Sequence, residues 1–213
     1  ILAETMFQRA RDLGKTSILV TSKDKLHTLL ANGATVTVSS ERPPNWVVEG
    51  VGGPPQIYSL EVNGWVVNAA SYIMSQRPAH IVYIATTDYA MHTFAPDEPQ
   101  SQKHMSILDD AIGDLLGAHP GITLLVTADH GMSAKTRMVD LKEVLARYGI
   151  RANPVPIIKD RYVAHHFNLG GCIFIYLASD QAGRLNEALT ALRETPGVQE
   201  ALPREEAAAQ FKL

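Results

Sequence analysis

Short β-branched runs alternate with amphipathic stretches from residue 16 to residue 128, and no other feature constrains the fold as strongly. "TSILVTS" (16–22), "ATVTVSS" (34–40), the run at 80–86 and "ITLLVTA" (122–128) read as strands. Between them, "DKLHTLLANG" (24–33), "SLEVNGWVVNAASYIMSQ" (59–76) and "SQKHMSILDDAIGDLLGAH" (101–119) read as helices. The last carries Met105, Leu108, Ile112 and Leu115 on one stripe. Upstream, Leu2, Met6, Ala10 and Leu13 fall at helical spacing, with Gly14 as a C-cap. Strand–helix–strand order favours parallel pairing, because each crossover helix returns the chain to the same end of the sheet. Ile81–Ile84 and residues 122–128 are apolar without alternation, the pattern of strands covered on both faces. The expected class is therefore α/β, a mostly parallel sheet with helices on both faces. Residues 43–55 hold Pro43, Pro44, Gly50, Gly52, Gly53, Pro54 and Pro55 and read as a loop.

Beyond residue 132 the pattern loosens. A helix is expected near 139–148, short strands near 155–158 and 172–178, and a helix from Ser179 to about Arg193. Two strands before a helix suggest a smaller α+β subdomain. At 213 residues and 46% hydrophobic, the chain can bury one sizeable core and a smaller appended region. Its net charge of -3 gives no electrostatic reason to expect nucleic acid or a membrane surface. The single cysteine, Cys172, excludes an internal disulfide and a multi-cysteine metal site, and fits a reducing, cytoplasmic setting. The chain opens on Ile1-Leu2-Ala3-Glu4, in helical phase and without a capping residue, and closes just after "PREEAAAQF"; the expectation is a central segment of a longer protein.

In parallel α/β sheets, ligands gather beyond the carboxyl ends of the strands. Two strands here end in metal-ligand chemistry. Asp88 and His92 follow the run at 80–86, and Asp129 and His130 follow "LLVTA" directly. Carboxylate oxygen with imidazole nitrogen suits Zn²⁺, and less selectively Mn²⁺ or Fe²⁺. Gly131 gives the backbone freedom for the adjacent pair to turn toward one point. A lone Asp-His is ordinarily a strand-end cap beside a surface histidine. Two such pairs closing two strands of one sheet favour metal. Two ions would want about four ligands each, so either one metal binds or further ligands lie elsewhere in a longer chain.

"TTDYAMHTFAP" (86–96) followed by "LLVTADHGM" (124–132) resembles the alkaline phosphatase superfamily. "TSKDKL" (21–26) and "NLGG" (168–171) bring the chain nearest to its phosphonoacetate hydrolase family. The resemblance implies two zinc ions. Asp88 and His92 would hold one with a later histidine; Asp129 and His130 would hold the other with an earlier aspartate and a nucleophilic threonine. Those three further groups have no counterpart here, and Thr86, Thr87 and Thr127 are not assigned as nucleophile. By themselves Lys23 and Lys25 are solvated residues at a helix start. Their Lys-x-Lys spacing matches the family's substrate-carboxylate lysines, and His92 joins them at the substrate. The implied reaction is cleavage of the carbon–phosphorus bond of phosphonoacetate, by the complete enzyme and not by this segment alone. The alternatives are a phosphodiesterase or phosphomutase of the same superfamily, and a non-catalytic metal-binding module. The expected partner is a small phosphonate, with no nucleic acid or membrane, and a homodimer is admitted. Residues 1–132 would form part of the metal-binding core, and 133–213 a smaller lid or cap that begins a return to the core.

The remaining candidates take plainer readings. His27, His104 and His119 are assigned to helix surfaces or ends, and Cys172 to the core. His165 and His166 precede a strand, and Lys135 solvates the turn after Gly131.

Overall fold

Three parallel strands organise the first part of the molecule. The computed structural model describes residues 3–134, 137–156 and 171–212. It divides into two units, Ile1–Ala134 and Lys135–Leu213. In chain order the first unit contains α1 (Met6–Asp12), β1 (Ser17–Thr21), α2 (Asp24–Leu30), β2 (Val36–Ser39), α3 (Asn45–Val51), α4 (Val62–Gln76), β3 (Ile81–Ala85), α5 (Tyr89–Thr93) and α6 (Pro99–Ala118). The strand order is β2-β1-β3. Both pairings are parallel, with Thr21 opposite Ser39 on one side and Ala85 on the other.

Alternation along β1 assigns its side chains to two layers. Ile18 and Val20 join Val38 and pack on Val47 of α3 and on Trp65, Val66, Ala69, Ala70 and Ile73 of α4. Leu19 lies on the opposite face, and its register partner Tyr83 meets Phe7 of α1 edge-on at 6.3 Å. Helices therefore cover both faces, and the expected parallel α/β architecture is present. A second helix layer forms where α6 packs on α4 through Val67, Ala111 and Leu115. The approach is close at Gly64, where a Cβ would come within 2.7 Å of Ile107 Cγ2.

Several local expectations are corrected. Among the described residues β3 has one strand neighbour, so its run is half-buried rather than enclosed, and Tyr83 is 42% exposed. Residues 122–128 form no strand; Leu125 is 89% and Val126 76% exposed. A strand exists only as part of a ladder, and among the described residues none pairs there. The stretch at 43–55 contains α3, because Trp46, Val47 and Val51 supply an apolar stripe that docks on the sheet. α1 starts at Met6 behind a capping box: Gln8 N–H donates to Thr5 Oγ1 (3.1 Å) and Thr5 N–H to Gln8 Oε1 (2.9 Å). On α6 the expected stripe holds at Leu108, Ile112 and Leu115 and fails only in its first part. Met105 is exposed, and Ser101, His104, Ala111 and Leu115 are buried, so His104 belongs to the interior and not to the surface.

The second unit contains α7 (Leu141–Arg147), β4 (Ala152–Pro156), β5 (Ile173–Leu177), a 3-10 stretch at Ser179–Arg184, α8 (Leu185–Arg193) and α9 (Arg204–Phe211). β4 and β5 pair antiparallel, Ala152 opposite Leu177. Leu145 and Ile150 pack on Ala188, Ala191 and Leu192 of α8. Cys172, expected inside, is exposed, because it precedes the first paired residue, Ile173. Lys135, His165, His166 and residues 168–170 lie outside the described residues. Among those described, no helix is long and apolar enough to cross a membrane.

Candidate metal centre

Because β1 and β3 are adjacent and parallel, their carboxyl ends open on the same edge. The Thr21–Ala85 register is extended by Ser22 N–H donating to the Ala85 carbonyl at 2.9 Å. One residue further on β1's side is Lys23, and three beyond Ala85 is Asp88. Lys23 Nζ donates to Asp88 Oδ1 at 2.8 Å. The single turn of α5 then brings its fourth residue back over Asp88: His92 N–H donates to the Asp88 carbonyl at 3.0 Å. His92 Nε2 lies 3.5 Å from Asp88 Oδ2. One carboxylate oxygen thus faces Lys23 and the other faces an imidazole.

The second pair lies alongside. Asp129 Oδ2 is 3.6 Å from His130 Nε2, and His130 N–H donates to Asp129 Oδ1 at 3.0 Å. The His92 and His130 rings meet edge-to-face with centroids 5.9 Å apart. The two histidines therefore set the two sequence-predicted pairs side by side. His130 Nδ1 sits 3.0 Å from the Gly131 carbonyl. A carbonyl can only accept, so Nδ1 carries the proton, and in the neutral ring Nε2 keeps its lone pair on the side of Asp129.

Asp88 is charged well into acid. Partial burial raises its pKa, but the Lys23 hydrogen bond and charge outweigh that. Its own backbone N–H and His92 assist, and the carboxyl is held at about 2, below the ordinary 3.8.

The donor set fits a metal pairwise. Two ligands on one tetrahedral zinc, at bonds of about 2.0–2.2 Å, lie about 3.3–3.6 Å apart. The oxygen–nitrogen separations of 3.5 and 3.6 Å match that edge. The Nδ1–H bond to a carbonyl is the outer contact that fixes a ligating histidine's tautomer. Among the described residues, no group of three His, Cys, Asp or Glu is close enough to hold an ion. Each pair offers two donors at the spacing of that edge.

The other candidates separate. Lys25 is exposed in the first turn of α2. Thr86 and Thr127 are exposed, whereas Thr87 is buried and its hydroxyl donates to Asp88 Oδ1 at 3.3 Å. Sequence reasoning left Asn63 unassigned and put His104 on a helix surface or end; both are buried, and Asn63 bonds the residue before Asp88. The signal was present: His104 stands four, seven and eleven residues before Leu108, Ala111 and Leu115, squarely on α6's apolar face.

A parallel sheet with paired carboxylate and imidazole groups at its carboxyl edge places the chain among the alkaline phosphatase-like α/β proteins. A family model described as type I phosphodiesterase / nucleotide pyrophosphatase matches residues 26–209, and the chain belongs to that family. Crystal structures of phosphonoacetate hydrolase from Sinorhizobium meliloti 1021, one with phosphonoformate and one with phosphonoacetate, are similar to it. Each superposes with a TM-score of 0.82 at 30% identity, covering 99% of this chain and 56% of that one. The chain spans a little over half the length of those structures.

Proposed function

We propose that this chain carries the metal-holding and substrate-holding edge of a hydrolase that splits phosphonoacetate into acetate and phosphate. The observation that supports this reading is the Lys23–Asp88 contact of 2.8 Å, which sets a cation of the β1 loop directly beside a metal-ligand pair. In the complete enzyme, Asp88 with His92 and Asp129 with His130 would each hold one zinc, and zinc would supply Lewis-acid stabilisation of charge on the phosphoryl oxygens.

The chain's own residues serve the other end of the substrate. As the carbon–phosphorus bond breaks, its electron pair passes to the methylene carbon and spreads into the adjoining carboxylate; the carbon then takes up a proton, and phosphorus gains an oxygen from water. The lysine ammonium has three donors, of which one is on Asp88, so Lys23 can also meet an anion at this edge. Lys25 follows on the same helix start. Charge-assisted bonds of this kind contribute about 1.5–3 kcal/mol each, and they strengthen as charge accumulates on the carboxylate.

The family description favours a second reading, a nucleotide phosphodiesterase. One experiment separates the two. In the complete enzyme, Lys23→Ala with Lys25→Ala should cripple turnover of phosphonoacetate and largely spare an activated aryl phosphate, which has no carboxylate. Equal loss on both substrates would show that the lysines serve the fold or the metals, and would remove the support for phosphonoacetate.

A further inference from the structure

The turn that presents Asp88 is gripped from behind by two buried polar side chains on different helices. Asn63, in the first turn of α4, is fully buried. Its Nδ2 donates to the Thr87 carbonyl at 2.8 Å, and its Oδ1 accepts from Thr87 N–H at 2.8 Å. Both backbone groups of the residue preceding Asp88 are therefore captured by one side chain. His104 of α6 backs this clamp: its Nε2 lies 3.4 Å from Asn63 Nδ2, and its Nδ1 lies 2.9 Å from the Leu60 carbonyl.

The chemistry of the groups allows one assignment for a neutral ring. The Leu60 carbonyl can only accept, so Nδ1 carries the proton; Nε2 then accepts the second Asn63 N–H. Every polar atom of both side chains is used. A network this complete in an apolar layer fixes one geometry, because any rotation of Asn63 orphans several buried groups at once. From that held backbone the Thr87 hydroxyl donates to Asp88 Oδ1 at 3.3 Å.

We propose that Asn63, supported by His104, is a positioning residue that aims the Asp88 carboxylate at its metal. This rests on the metal reading above. It places the origin of that aim on two helices behind the turn, in Asn63 and His104 and not in the four candidate ligands themselves.

The test needs a control for plain structural loss, and α6 contains one. His119, at the far end of the same helix and about 22 Å from His104 at 1.5 Å per residue, contacts Ser71 of α4 with Nε2 3.1 Å from the hydroxyl. The variants are Asn63→Leu, His104→Gln as a milder second, and His119→Gln. Each is studied in the complete enzyme by zinc competition with a chromophoric chelator, by urea unfolding, and by the carbon NMR shift of the Asp88 carboxyl in metal-free protein. Asn63→Leu should weaken zinc about 10- to 100-fold, and His104→Gln less. Both should move the Asp88 carboxyl signal, whereas His119→Gln should lower stability with zinc affinity and the Asp88 signal unchanged. The proposal is overturned if Asn63→Leu binds zinc as the parent does, or if His119→Gln weakens zinc equally. If the parent takes up no zinc, the metal reading falls. The clamp is then decided by the Asp88 signal alone: movement in Asn63→Leu and not in His119→Gln upholds it, and no movement overturns it.

Discussion

Replacing Lys23 by methionine removes the ammonium from Asp88 while keeping most of the apolar stem. In the parent, Lys23 provides the largest contributions that lower the Asp88 pKa from 3.8 to about 2. Burial is unchanged in the variant and acts the other way, against the smaller backbone and His92 contributions that remain, so the Asp88 pKa should rise toward its ordinary value. A shift of roughly two units corresponds to about 2.5 kcal/mol for an enclosed group. The Asp88 side chain is 45% exposed, so solvent screening reduces the expected loss to about 1 kcal/mol at pH 7. The sign follows from linkage. A carboxyl whose folded pKa is depressed contributes stability above its unfolded value near 3.8, and loses it as pH falls through about 2. Urea unfolding of chelator-treated protein should therefore show Lys23→Met less stable at pH 7, with the gap closing between pH 4 and pH 2. A gap that stays constant over that range would mean that Lys23 contributes through its stem and not through Asp88. An Asp88 carboxyl that titrates near 3.8 in the parent would refute the pairing itself.

Two further perturbations test the frame around the site. Gly50→Ala should cost about 1–3 kcal/mol in a thermal or urea melt. The new Cβ would lie 2.2 Å from Tyr72 Cζ, and that ring is itself packed on Trp46 at 6.1 Å; an unchanged midpoint would show that α3 is free to shift. Thr5→Ala should lose about 1 kcal/mol through the α1 capping box, and Thr5→Ser should restore it. Equal loss in both variants would assign the effect to Thr5 packing.

What was legible in the sequence depended on how far each feature relied on distant partners. β1 and β2 could be read because their β-branched runs are paired and covered as such runs require. Residues 122–128 have the same composition, yet a strand also needs a neighbour, which composition cannot supply. The four candidate ligands were visible because Asp and His are unusual directly after apolar runs. Lys23 on Asp88 was not visible as a contact, since it joins residues 65 apart and exists only because the strand order is β2-β1-β3. Periodicity is silent on strand order. On α6, Leu108, Ile112 and Leu115 were legible, but the stripe was continued through apolar Met105 and not through His104, the reverse of what is observed at those two positions. Asn63 was hidden for a related reason: its buried partners at Thr87 lie 24 residues on.

Asp129→Ala bears most directly on whether the two pairs are metal ligands. The Asp129 side chain is 90% exposed, so removing it from a merely structural turn would cost at most about 1 kcal/mol. Zinc content by elemental analysis, with turnover on the same samples of the complete enzyme, should show Asp129→Ala losing zinc and most activity together while its unfolding midpoint barely moves. Parent-like zinc stoichiometry in the variant would contradict the account.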